Sequence, residues 1–150
     1  MSQSLAKNYL HIIFSTKYRE PLIGEKFEDE LYSYLGGICN NLACYPVKIG
    51  GWYDHVHILC MLSKKCTLIK LLEEVKSHSS RWMKSKDPSL NNFYWQDGFG
   101  AFSVSCSDLD KVSLYISNQK LHHFHHSFQT EFRSILHKYH INFDERFVWD

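Results

Sequence analysis

What narrows the fold of this chain most is the order in which its hydrophobic periodicity switches between two residues and about 3.6. Residues 8–17 (NYLHIIFSTK) read as a strand rich in β-branched and aromatic residues, with Leu10, Ile12 and Phe14 on one face and Tyr9, His11 and Ile13 on the other. Over about 24–41, the spacing of Phe27, Leu31, Leu35 and Ile38 predicts a helix that follows Pro21, its end blurred by Gly36 and Gly37. Residues 45–53 and 55–62 read as two strands joined tightly near Asp54. A second helix is expected over about 67–84 on Leu68, Leu71, Leu72, Val75 and Trp82, with Thr67 as N-cap and Asp87-Pro88 as its stop. Strand character returns at 93–96 and 101–105, interrupted by Gly98 and Gly100. A third helix, capped by Asp108, carries Val112, Tyr115, Ile116 and Gln119, and a fourth covers about 128–139.

The first six elements run β-α-β-β-α-β, which predicts an α+β fold, the ferredoxin-like split sandwich. Its antiparallel sheet carries two helices on one face, and the other face is expected to stay open to a partner or ligand, with further helices following at the C-terminus. At 150 residues this is one domain, 1–150. Five cysteines, an odd number without CxxC spacing, fit reduced thiols better than a zinc site or a disulfide framework. With no apolar run near the ~20 residues of a membrane span and no signal-peptide pattern, the expected compartment is the cytoplasm. A net charge of +1 removes any global nucleic-acid signal. Locally, however, Lys64, Lys65, Lys70, Lys76, Arg81, Lys84 and Lys86 face only Glu73 and Glu74 across 64–86. That run reads either as a solvated helix face or as an anion-binding surface.

Chemistry enters at Asp54-His55-Val56-His57-Ile58-Leu59. Alternation on a strand projects His55 and His57 from one side about 7 Å apart along the chain, and neutral imidazoles so placed can share a divalent cation. Downstream, Tyr115-Ile116-Ser117-Asn118-Gln119 puts a phenol and a carboxamide on one helix face. The Gln119 carbonyl can supply the oxygen ligand that a hard cation wants beyond two histidines, which would bring Tyr115 beside the metal.

These residues resemble the single-tyrosine HUH transposases, where HUH denotes histidine-hydrophobic-histidine, and their relatives the REP-associated tyrosine transposases. The likeness runs through His11-Ile12-Ile13-Phe14, the block from Gly51 to Leu59 and the block from Trp95 to Ser105. It continues through Tyr115 to Gln119, His122-His123, Ser127-Phe128 and Glu131-Phe132. The resemblance implies His55, His57 and Gln119 as ligands of magnesium or manganese, and Tyr115 as a nucleophile that cleaves single-stranded DNA through a 5′-phosphotyrosine. It also implies hairpin-bearing DNA ends as partner and a homodimer whose tyrosine helix can complete the other subunit's site. Lys76, Arg81 and Lys84 are the expected phosphate contacts.

Rival readings are weaker. Leu59 occupies the third alternating position that a histidine-triad hydrolase needs. The run His122-His123-Phe124-His125-His126 cannot converge as a whole, because neighbours on a helix point apart; interaction with the helix C-terminus accounts for it. His122, seven residues after Tyr115, shares roughly its face. The alternative from another class is a domesticated, non-catalytic hairpin-binding or single-strand-binding module of the same fold.

Overall fold

The computed structural model describes residues 2–150. Strands β1 (Asn8–Ser15), β2 (Pro46–Trp52), β3 (His55–Leu62) and β4 (Gly100–Val104) form one sheet in the order β2-β3-β1-β4, with every neighbouring pair antiparallel. Helices α1 (Glu25–Asn41) and α2 (Leu68–Lys86) complete the split β-α-β-β-α-β arrangement. Thr67 caps α2 as expected, its side chain accepting the backbone N–H of Lys70.

Alternation in β1 and β3 divides the core in two. Ile12, Phe14, Val56, Ile58 and Cys60 point toward α1 and α2, where they meet Leu31, Leu35, Leu71, Val75 and Met83 in the main core. The opposite face carries His11, Ile13, His55 and His57, and it is not open. Helices α3 (Leu109–Ser117), α4 (Gln119–His123) and α5 (Phe128–Lys138) fold back across it. Ile13 and Phe102 pack there against Phe128, Phe132 and Leu136 of α5, and these five buried apolar side chains form a second core.

Three local expectations change. Residues 93–96 do not add a strand: Trp95 makes one isolated bridge to Thr16, its indole N–H donates to Ser79 Oγ at 2.8 Å, and the segment wraps the sheet edge. Asp108 stands at the start of α3 without a side-chain cap bond; Ser105 instead caps the preceding turn of Cys106–Asp108. The single third helix breaks at Asn118, so Gln119 opens α4. The close approach of α3 to the sheet depends on Gly50, opposite His57 in the β2–β3 register. A Cβ there would lie 2.9 Å from Ile116 Cγ2 and 3.1 Å from the Ile116 carbonyl oxygen. Among the described residues no helix is long and apolar enough to cross a membrane.

Candidate metal centre and nucleophile

His55 and His57 are fully buried, and a second group orients each ring. The Nδ1 of His55 lies 2.7 Å from Asp54 Oδ1, so it donates to that carboxylate and leaves Nε2 facing inward. His57 Nδ1 lies 2.7 Å from His11 Nε2, which likewise leaves its own Nε2 free to point inward. Both outer partners come from the sheet or its turn. Their placement needs only strand alternation and the β1–β3 register.

The helices supply the other half. Gln119 Oε1 lies 3.0 Å from His55 Nε2 and 2.9 Å from His123 Nε2. Glu131, on α5, places Oε1 at 3.1 Å from His57 Nε2, 3.2 Å from His123 Nε2 and 3.4 Å from His55 Nε2. Its other oxygen, Oε2, accepts the Gln119 side-chain N–H at 2.9 Å and the Tyr115 hydroxyl in a short bond. His123 is held by a 2.6 Å bond from Nδ1 to the His126 carbonyl. Within one chain, Tyr115 therefore reaches the cluster made by its own strand histidines.

The donor set fits a divalent cation. The ligand atoms of His55, His57, His123 and Glu131 all lie within 4.8 Å of one another. The 2.9–3.4 Å separations among close pairs match the edges of a coordination shell of radius about 2.0–2.2 Å. Three imidazoles, a carboxylate and a carboxamide oxygen would accept zinc-like as well as magnesium- or manganese-like ions. His55, His57, His123 and Glu131 could together hold a divalent metal.

Electrostatics within the cluster follow from burial and pairing. Burial opposes the charged form of His55, but hydrogen bonds to Asp54 and Glu131 prevail and hold it up at about 9. Burial, with the charges of His55 and His123 adding to it, pulls His57 below the ordinary imidazole value. His11 is brought down to about 3 by burial and by His57. Burial would lift Glu131, yet the charge of His57 and hydrogen bonds from His123, His55 and His57 keep it far below the carboxylate range. The Tyr115 phenol is pushed above its ordinary value by burial first and then by the Glu131 charge. A carboxylate is thus fixed as an anion against a tyrosine that keeps its proton.

Glu131, His123, Asp54 and His11 are absent from the ligand set read in the sequence. Asp54 carried a local signal, being adjacent to His55. His123 is the member of the histidine run that enters the cluster, whereas His122 places its Nε2 3.5 Å from Glu131 Oε2 without a hydrogen bond. Glu131 entered only within the Glu131-Phe132 block of the resemblance, with no spacing that tied it to the strand histidines. The expected phosphate contacts fall on α2, across the sheet from this cluster. Lys76 is withdrawn from that role: its ammonium donates to the carbonyls of Gln96, Asp97 and Gly98 at 2.9, 3.0 and 2.6 Å. Burial lowers it to about 8, with Asp97 opposing. Lys84 donates to Ser80 and lies over the Tyr94 ring, while Arg81 is exposed beside His78.

Residues 4–119 match the model of the family described as transposase IS200 like. Two solved structures share the fold. A Deinococcus radiodurans protein assigned as a transposase is 24% identical with TM-score 0.62, the match covering 79% of this chain and 98% of that one. A REP-associated tyrosine transposase bound to a REP hairpin is 15% identical with TM-score 0.60, over 82% and 74% of the two chains. No curated protein matches significantly. The chain belongs to the IS200-like transposases, the HUH tyrosine family of DNA-processing enzymes.

Proposed function

We propose that this transposase cleaves single-stranded DNA at hairpin-bearing ends and rejoins it through a 5′-phosphotyrosine on Tyr115, using magnesium or manganese held by His55, His57 and Gln119. The convergence of the Tyr115 hydroxyl with those three residues on one buried sheet face carries this reading. His123 and Glu131 extend the ligand set. When bound, the ion supplies Lewis-acid polarisation of a phosphate oxygen.

The protein's own groups do the rest. Asp54 and His11 fix the two strand imidazoles, and Glu131 accepts the hydrogen bond that aligns the Tyr115 hydroxyl; held far below the carboxylate range, it passes the tyrosine's proton on to the departing 3′-oxygen rather than retaining it. The Tyr115 oxygen then forms a bond to phosphorus as the bond to the 3′-oxygen breaks, and that oxygen leaves as a protonated hydroxyl. A second 3′-hydroxyl reverses the exchange and releases Tyr115. Each step trades one phosphoester for another, so no water is consumed.

The hairpin in the REP-associated relative supports hairpin DNA as the partner. A homodimer belongs to this reading: Leu114, Leu121 and Phe124 stand 63%, 73% and 78% exposed around the α3–α4 junction, an apolar surface suited to a second copy. With manganese and a hairpin-bearing single strand, the protein should yield a denaturation-resistant DNA adduct. Tyr115→Phe should abolish the adduct and retain hairpin binding. An adduct formed by the Phe variant rejects Tyr115 as nucleophile, and hairpin binding without cleavage under either metal favours the non-catalytic module.

A further inference from the structure

Beside the histidine cluster, opening from Tyr115, lies a cavity of about 420 Å³. Its inner end is formed by buried Glu131 and His11 and half-buried Tyr115. Val112 from α3 and Ile135 from α5 make apolar walls, and the exposed mouth carries Lys111 and Lys138, one from each helix. Neither lysine is paired with a carboxylate within 4 Å among the described residues; the one acid at the mouth, Asp108, is itself exposed and unpaired. The hydroxyls of Ser103, Ser105 and Ser134 add uncharged hydrogen-bonding groups.

The volume lies in the about 300–1,000 Å³ range of small-ligand sites. Two cationic groups at the mouth, apolar walls behind them and a tyrosine hydroxyl at the inner end match a stretch of strand: one phosphate at the tyrosine, sugar and base along the walls, and the next phosphates at the mouth. A duplex cannot enter, because its bases are paired and its backbone is too wide for a cavity of this size. We propose that this cavity takes one unpaired nucleotide of single-stranded DNA next to the bond facing Tyr115: the phosphate of that bond lies at the inner end, and Lys111 and Lys138 hold the next phosphates of the strand, toward the mouth. This rests on the reading of Tyr115 as nucleophile, but the binding it predicts does not need the chemistry.

The test uses Tyr115→Phe protein in EDTA, with labelled hexathymidylate as probe and fluorescence anisotropy as readout. Lys111→Ala/Lys138→Ala should weaken binding about tenfold, the size expected for two exposed ion pairs. It should also flatten the salt dependence by about 1.4 in slope, two phosphates at about 0.7 each. Val112→Trp, which fills the cavity, should weaken binding similarly without lowering the melting temperature. Arg81→Ala/Lys84→Ala, on the far face, should leave binding within about twofold. Parent-like binding by the lysine variant overturns the proposal, as does a blunt duplex that competes as well as unlabelled hexathymidylate. Lysine-dependent binding in a protein that forms no covalent adduct would sustain the cavity and reject the nucleophile; an adduct with lysine-independent binding would do the reverse.

Discussion

Replacing Glu131 by glutamine isolates the group that ties the tyrosine to the histidines. The side chain keeps its shape and loses its charge. In the native cluster Oε2 accepts from both Tyr115 and Gln119, while Oε1 faces three imidazole nitrogens. An amide can satisfy only one of these sides. With its NH2 toward Gln119 it meets another NH2, and turning Gln119 over would remove Oε1 from His55 and His123. One buried pair is therefore left unmade, costing about 1–3 kcal/mol, and the surviving bonds lose about 1 kcal/mol of charge assistance. The sum, about 2–4 kcal/mol, corresponds to a fall in melting temperature of roughly 5–15 °C at this chain length. Metal binding should suffer more than the about 10–100-fold typical of losing an outer-shell partner, since an anionic ligand is neutralised. Urea denaturation in EDTA measures the first effect and calorimetric titration with Mn²⁺ the second. Parent-like Mn²⁺ affinity together with full adduct yield would place Glu131 outside the ligand set and refute this reasoning.

Three further outcomes follow from the same geometry. His55, held at about 9 against 6.5 for a free imidazole, stabilises the metal-free fold fully below pH 6.5, and that contribution is lost as pH rises through about 9. Mn²⁺ must displace the proton, so affinity should climb toward pH 9 with about one proton released per ion at neutral pH; calorimetry in buffers of different ionisation enthalpy that detects no release would contradict this. Gly50→Ala sets a methyl 2.9 Å from Ile116 Cγ2 and should push α3 outward, costing about 1–3 kcal/mol of stability. Adduct formation should drop by about tenfold or more through misplacement of Tyr115, with Mn²⁺ affinity much less affected; equal losses in both would show that α3 does not move alone. Lys76→Met should destabilise the fold by about 2–3 kcal/mol by stripping a charged donor from the Gln96, Asp97 and Gly98 carbonyls, with no specific loss of DNA binding. A stable Lys76→Met variant that fails to bind DNA would restore the lysine as a phosphate contact.

Much of the molecule was legible without coordinates because its signals are local. Period-two alternation put His55 and His57 on one strand face. Apolar spacing and the Thr67 cap located α2, and the four-residue interval joined Tyr115 to Gln119. What was misread had a tertiary cause. Trp95 looked like strand but is anchored by Phe14, Phe93 and Ser79 at the sheet edge. Lys76 looked like a free cation until the 96–98 loop folded over it. His123 was hidden in a histidine run whose members differ only in which one the break at Asn118 turns inward.

Periodicity determines which side chains share a face of one element, and so the sequence alone carried the order of strands and helices, the histidine pair and the tyrosine with its carboxamide. It could not decide how those faces meet. Closing the second sheet face with α3, α4 and α5 depends on apolar packing of Ile13 and Phe102 against α5 and on a backbone approach that only Gly50 permits. That closure brings Glu131 to His57 across 74 residues of chain, a distance at which no spacing rule operates. The tertiary structure thus turns a strand motif and a helix motif into one buried centre, with a carboxylate as the hinge between metal ligands and nucleophile.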